Sequence, residues 1–388
     1  MKKVFCCFLL FGTFCFSQIK QDNQFYFKPE FLIGKTIPSY ELFTGKIPKT
    51  VIGFSLFRNN YNPKKQWQQI LNYPKTGVSL YFTNYGASKK GNSVTLLPFM
   101  EFFTSKRKRY SLKFALGASY FTKQYDKISN PEFKEISTKL TWALQAGIYR
   151  KVIFKNSKSL VLGLVYFHHS NGHTKLPNEG FNTASLSVSS DFQISHSKKK
   201  MSYVKNKIDI KKFSGGFIAF RYGKGFQVMQ ESVNKIKQVD VVSVSGGLFY
   251  NEIVRLSTGF TYRFYHHYYD YIKENDLEEF RANPVLNASN IYVFVGAELL
   301  LGNIGVDWQG GLNLYKPFYQ THYQLDGKPL TFKYHLKKLF LGRLGLKLYA
   351  ISTQKKPKYN MYLAGNINSN LSQADFSEIS IGLVRRLR

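Results

Sequence analysis

The strongest constraint on this chain is an alternation of apolar and polar residues that recurs in runs of about 9 to 13 positions. From Tyr110 the even positions Tyr110, Leu112, Phe114, Leu116, Ala118 and Tyr120 oppose Ser111, Lys113, Ala115, Gly117 and Ser119. The same period returns in Leu140, Trp142, Leu144, Ala146 and Ile148, in Val254, Leu256, Phe260, Tyr262 and Phe264, and in Ile304, Val306, Trp308, Leu312 and Leu314. Successive strand side chains point to opposite faces, so each run predicts a strand with one apolar and one polar face. A soluble sandwich would alternate as well, but its strands average about 5 to 6 residues, whereas runs this long match a tilted strand crossing a bilayer. The fold class expected is all-β, a transmembrane antiparallel β-barrel. At about 20 to 25 residues per strand with its connection, the chain allows about 14 strands, within about 12 to 16. Ile379, Ile381 and Leu383 supply a final strand, although the chain ends on Arg388 rather than on an aromatic residue.

Composition separates this from a helical membrane protein. A mean hydropathy of -0.27, with no second long apolar run, leaves no material for a helical bundle. A barrel needs apolar side chains only at every second position. The 35 Phe and 27 Tyr suit interfacial girdles and equally an ordinary β core.

Residues 1–17 read as a signal peptide. Lys2 and Lys3 precede an apolar run from Val4 to Phe16, with a plausible cleavage point at Ser17-Gln18. The run is short for a spanning helix, which needs roughly 20 apolar residues. Cys15 is a poor lipid acceptor because Thr13 and Phe14 precede it. Cleavage would leave residues 18–388 as the mature barrel, in the bacterial outer membrane. Cys6, Cys7 and Cys15 all lie in the leader, so the mature chain would hold no disulfide, thiolate metal site or cysteine nucleophile.

The net charge of +32 favours anionic partners. Export makes the phosphates of lipopolysaccharide a better match than nucleic acid, and a generally basic proteome would give the same charge. The lysine-crowded run His196–Lys212 reads as a solvated loop. It either divides an eight-stranded N-terminal unit from a C-terminal one or turns within one larger barrel. Tyr271–Asn290, with Glu274, Asp276, Glu278 and Glu279, reads as a second long loop with some helix.

One segment carries chemistry: Tyr166-Phe167-His168-His169-Ser170-Asn171-Gly172, continuing through Pro177-Asn178-Glu179-Gly180 to Asn182. Leu160, Leu162, Leu164 and Tyr166 form an apolar stripe that extends to His168 and Ser170. Ala184, Leu186 and Val188 form the next, which begins at Asn182. His168, Ser170 and Asn182 therefore share the outward face of a hairpin, beside a Tyr suited to the membrane interface. A serine hydroxyl is a weak nucleophile until a neighbouring imidazole takes its proton. A His-x-Ser pair at a strand end is also commonly nothing more than wet polar residues. His266, His267, His322 and His335 lack the partners a metal site needs, and no metal is expected.

The full segment resembles the lipid A 3-O-deacylase (PagL-like) family of outer-membrane barrels. That family's pattern is an aromatic-flanked His-x-Ser-Asn, then a Pro-Asn-x-Gly loop, then a catalytic Glu. By resemblance His168 is the base, Ser170 the nucleophile and Asn171 the oxyanion residue, while Pro177, Asn178 and Gly180 support the loop. The third catalytic position departs, because Asn182 stands where the family has Glu. A carboxylate stabilises the imidazolium as well as orienting the ring, whereas an amide only orients it, as in Cys-His-Asn enzymes. Glu179 lies close in sequence but on the opposite parity. The motif covers about 15 residues and a looser similarity spans about 76–194, with the remainder fitting relatives that set the site in a larger barrel. The resemblance implies serine-type ester hydrolysis on lipid A without metal or cofactor. The competing reading is a non-catalytic channel or envelope scaffold with a degenerate site.

Overall fold

The computed structural model describes residues 24–38, 48–61, 65–105, 107–153, 159–194, 213–232, 234–325, 327, 329–371 and 373–387. The leader 1–17 and the basic run His196–Lys212 lie outside them.

Nine strands occupy the N-terminal half: β1 (Phe25–Ile37), β2 (Pro48–Asn59), β3 (Lys75–Asn84), β4 (Asn92–Phe103), β5 (Tyr110–Phe121), β6 (Leu140–Ile153), β7 (Ser159–Ser170), β8 (Phe181–Ser189) and β9 (Phe192–Gln193). Each pairs antiparallel with its neighbour through β8, and β1 pairs with both β2 and β8, which closes an eight-stranded barrel. The short β9 continues the β8 edge, with Phe192 opposite Phe27. Eight more strands form a second closed barrel: β10 (Phe213–Gln227), β11 (Lys237–Tyr250), β12 (Val254–Tyr265), β13 (Ser289–Leu300), β14 (Ile304–Tyr315), β15 (Phe340–Tyr349), β16 (Tyr359–Asn370) and β17 (Gln373–Arg386). Its closing pair is β10 with β17, where Phe217 faces Arg386.

Among the described residues, the expectation of one barrel of about 14 strands is corrected to 17 strands that build two eight-stranded barrels and the short β9. Tight turns account for the higher count, as between Tyr250 and Val254 or Leu300 and Ile304. The division falls where β8 returns to β1 instead of pairing onward, so the site belongs to a small barrel rather than to a larger one.

Both walls are apolar outside and polar inside. Leu164, Leu186, Phe114 and Ile148 are exposed on the first barrel, as are Val244, Phe260, Trp308 and Ile379 on the second. Glu30, Lys113, Tyr81 and Gln145 fill the first interior, where Tyr81 OH donates to Glu30 at 2.9 Å and Lys113 Nζ to Tyr81 at 3.0 Å. The second interior holds Arg221 against Glu378, Arg255 against Glu298, and Arg343 against Asp307. Lys347 bridges Glu298 and Asp307 at 2.8 and 2.9 Å. An apolar belt around a charged lumen is the inverse of a soluble protein and defines an outer-membrane barrel. Neither barrel leans on transmembrane helices: among the described residues no helix is long and apolar enough to cross a membrane.

Helices lie only in connections: α1 (Gln66–Ile70), α2 (His266–Glu274), α3 (Pro284–Asn287), α4 (Tyr319–Leu325) and α5 (Phe332–Leu339). The polar stretch from Tyr271 is thus partly helical, as expected. The second barrel's α2 to α5 crowd one end, where Tyr268 stacks on Tyr265 and packs against Phe318. The first barrel's long connection 122–139 and the loop 171–180 lie at its corresponding end.

Candidate functional site

Strand pairing brings the two halves of the site together. In the β7/β8 ladder His168 lies opposite Asn182 and Tyr166 opposite Ala184. His168 Nδ1 lies 2.7 Å from Asn182 Oδ1, and Tyr166 OH donates to that same oxygen at 2.8 Å. A carbonyl oxygen only accepts, so this contact requires a proton on Nδ1, and in the neutral ring it leaves the lone pair on Nε2. Asn182 thereby orients the ring as an amide can. Gly180, with φ +78°, closes the rim tightly, since a Cβ there would come within 3.0 Å of His168 Cε1.

Ser170 ends β7 and is 6% exposed, less open than an outward lipid-facing position would be. Its Oγ accepts from Asn178 Nδ2 at 2.9 Å and from the Gly172 backbone N–H at 3.2 Å. With both acceptor positions engaged, the hydroxyl proton is left for a base. Among the described residues no hydrogen bond joins His168 to Ser170.

The loop after Ser170 is tied down by Asn171. Its Nδ2 donates to Ser137 Oγ at 2.9 Å and to the Lys175 carbonyl at 2.7 Å, while its Oδ1 accepts from His173 N at 3.0 Å. The Asn171 backbone N–H donates to Asn178 Oδ1 at 3.1 Å. The Asn171 side chain thus serves the loop, and the donors that reach Ser170 are Asn178 and Gly172. Sequence reasoning assigned Asn178 only to loop support and did not single out Gly172 as a donor. Its signal was the Pro-Asn pair eight positions on from the serine, which places an amide back over the strand end. Pro177 is buried in the same loop.

His169 points inward, with Nδ1 3.0 Å from Ser119 Oγ and its ring edge-on to Phe121. Glu179 is exposed, and its backbone N–H donates to Lys134 O at 3.2 Å. Elsewhere His266 pairs with Asp240, and His322 bridges Tyr268 OH to the Met229 carbonyl.

The second barrel completes the surroundings of this rim. Trp142, opposite Ser170 in the β6/β7 ladder, donates Nε1–H to Ser377 Oγ of β17 at 3.1 Å. Ser377 Oγ lies 3.3 Å from the Gly172 carbonyl, and Val228 N–H donates to the His173 carbonyl at 3.0 Å.

These features define an outer-membrane barrel with a hydroxyl, an imidazole and an orienting amide gathered at one rim. Residues 55–190 match the family model described as lipid A 3-O-deacylase (PagL), a stretch that holds every site residue from His168 to Asn182 and lies within the first barrel. The resemblance read from the motif therefore holds for that segment. No curated protein sequence matches the chain. Among solved structures, the outer membrane enzyme PagL aligns at 18% identity, covering 42% of this chain and 97% of its own, with a TM-score of 0.30. A Rh. blastica porin variant aligns at 8% identity over 94% of this chain and 100% of its own, with a TM-score of 0.19. The beta domain of the Bordetella autotransporter Brka does so at 8% identity over 94% and 99%, with a TM-score of 0.21.

Proposed function

We propose that the first barrel hydrolyses an ester-linked acyl chain of lipid A by a serine mechanism, in the leaflet beside its long loops. The observation that carries this reading is the convergence at one rim, within the family-matched segment, of a tautomer-fixed His168 and a Ser170 whose oxygen already accepts two hydrogen bonds. His168 Nε2 takes the Ser170 proton and Oγ attacks the ester carbonyl. As the oxyanion forms it takes over the N–H groups of Gly172 and Asn178, which rest on Ser170 Oγ in the free site. Its collapse expels the sugar oxygen, which takes the proton from His168. Water, deprotonated by the same imidazole, then releases the fatty acid and restores Ser170. Asn171 shapes the loop that presents those donors, and Pro177 and Gly180 fix its path.

Apo geometry without a formed His–Ser bond is compatible with this chemistry, since catalytic hydrogen bonds often close only around substrate. The exposed Lys35 and Lys139 near this rim suit the phosphates of the head group. A channel finds less support, because buried ion pairs such as Arg343 with Asp307 and Lys347 with Glu298 cross the second lumen.

The test is mass spectrometry of lipid A after incubation with purified protein in detergent micelles. Wild type is expected to remove one ester-linked chain and Ser170→Ala none. Intact lipid A with wild type, or equal release by the variant, refutes the reading.

A further inference from the structure

The loop that presents Gly172 and Asn178 to Ser170 is held from outside its own barrel. Leu176 N–H donates to Asn234 Oδ1 at 3.0 Å, and Asn234 Nδ2 donates back to the Leu176 carbonyl at 2.6 Å. That two-way bridge joins the site loop to the β10/β11 connection. Four further bonds flank it: Val228 N–H to His173 O at 3.0 Å, Tyr125 OH to Glu231 at 3.0 Å, and the two of the Trp142–Ser377–Gly172 chain.

The contact is concentrated at the end that carries the site, while at the opposite end Gln66 Nε2 donates to the Asn251 carbonyl at 3.4 Å. Further down the same faces Ile148 and Leu164 of the first barrel, and Leu363 and Ile379 of the second, stay exposed. At the contact, by contrast, Trp142 is only half-exposed and Ser170 is 6% exposed. Packing there is close. Gly172 has φ +63°, and a Cβ on it would lie 2.1 Å from Ser377 Oγ, while one on Gly365 would lie 3.5 Å from the Trp142 ring.

We propose that the second barrel is the positioning wall of the ester site: Asn234 and Ser377 hold loop 171–180 in the conformation that aims Gly172 and Asn178 at Ser170. Neither residue touches the reacting atoms, so both act through the loop. The catalytic part of this inference rests on the deacylase reading above, and the structural part does not. A wall on the β6 side also leaves the lipid to approach Ser170 past β8 and β1, where Leu186, Val188 and Ile33 are exposed.

The test uses the full chain in detergent with Asn234→Ala and Ser377→Ala, singly and combined. Amide hydrogen exchange is followed in 171–180, with 85–91 as the reference loop, alongside kcat and KM on lipid A micelles. Exchange in 171–180 is expected to quicken about tenfold in Asn234→Ala, the size expected for losing two neutral hydrogen bonds, with the reference loop and thermal unfolding unchanged. A similar fall in kcat at constant KM is expected, because the loop is organised for the transition state rather than for lipid binding. Unchanged exchange in the double variant overturns the proposal whether or not the wild type is active. So does a rise in KM with kcat intact. Wild type that hydrolyses nothing, with exchange altered as expected, refutes the deacylase reading alone.

Discussion

The two barrels close separately and differ in their contents. In the first, lysines meet hydroxyls, as Lys113 does at Ser79 and Tyr81, or carboxylates, as Lys75 does at Asp191 and Lys90 at Glu135, and the rim closes through the short loop 171–180. In the second, arginines face carboxylates along the lumen, and helices with an aromatic cluster around Tyr268 and Phe318 cover the end. The alternation that builds a bilayer-spanning wall is indifferent to which polar residues fill it, so the wall carries no chemistry. The proposed chemistry resides where a strand end meets a loop, at the rim where the first barrel gathers Ser170, His168 and the donors on Ser170.

Four changes would break or sharpen this contrast. The largest effect is expected from Glu378→Gln, which leaves Arg221 and Arg343 without their shared carboxylate. Breaking a buried pair costs about 3 to 5 kcal/mol, so the second barrel should unfold at lower denaturant while the first keeps its own midpoint. Two transitions followed by Trp308 and Trp142 fluorescence would show this, and a common shift would show one cooperative unit. Next, Asn178→Ala removes a donor from Ser170 and should lower kcat by about 10² to 10³, as loss of an oxyanion donor does, without changing stability in the second barrel. Asn182→Glu acts in the opposite direction. A carboxylate at this place can be worth on the order of 10⁴ where its loss also misplaces the tautomer. Asn182 already sets the tautomer, so the gain in kcat should be smaller, roughly tenfold or more. Unchanged turnover would mean that the imidazolium is stabilised by other groups.

The smallest effect concerns pH. Burial pulls the Lys316 ammonium down to about 7, beside Asn370 Oδ1 at 2.6 Å and over the Tyr319 ring, with Asp375 opposing that shift and Arg263 and Lys338 adding to it. The unfolded chain binds a proton that the folded chain lacks between about pH 7 and 10. Stability of the second barrel should therefore rise with pH across that window, and Lys316→Met should flatten the rise in detergent melting curves.

Much of the wall was legible in the sequence because alternation is local. The outward residues read from Tyr110, Leu140, Val254 and Ile304 do face outward, and His168 shares its face with Asn182. Barrel closure was not legible. Whether β8 returns to β1 is decided by pairings such as Ile37 with Asn182, 145 positions apart, and no run of residues announces them. The site was legible to the same range. The His168–Asn182 pair follows from parity, whereas the turn that carries Asn178 back onto Ser170 depends on φ +63° at Gly172 and φ +68° at His173. Ser377, which meets Trp142 from 235 positions away, left no trace at all.

Separate closing pairs also bear on how such a chain enters a bilayer. The β1/β8 and β10/β17 seams each seal a stretch of less than half the chain. Halving the length to be closed lowers the entropic cost of each closure by only about 0.6 kcal/mol, so thermodynamics gains little. The gain is in sequence of events: the first seam uses no residue beyond Ser189, so a complete sealed wall can exist before the second half has paired. Loop 171–180 would acquire its outside support from Asn234 and Ser377 only once the second barrel is in place beside it.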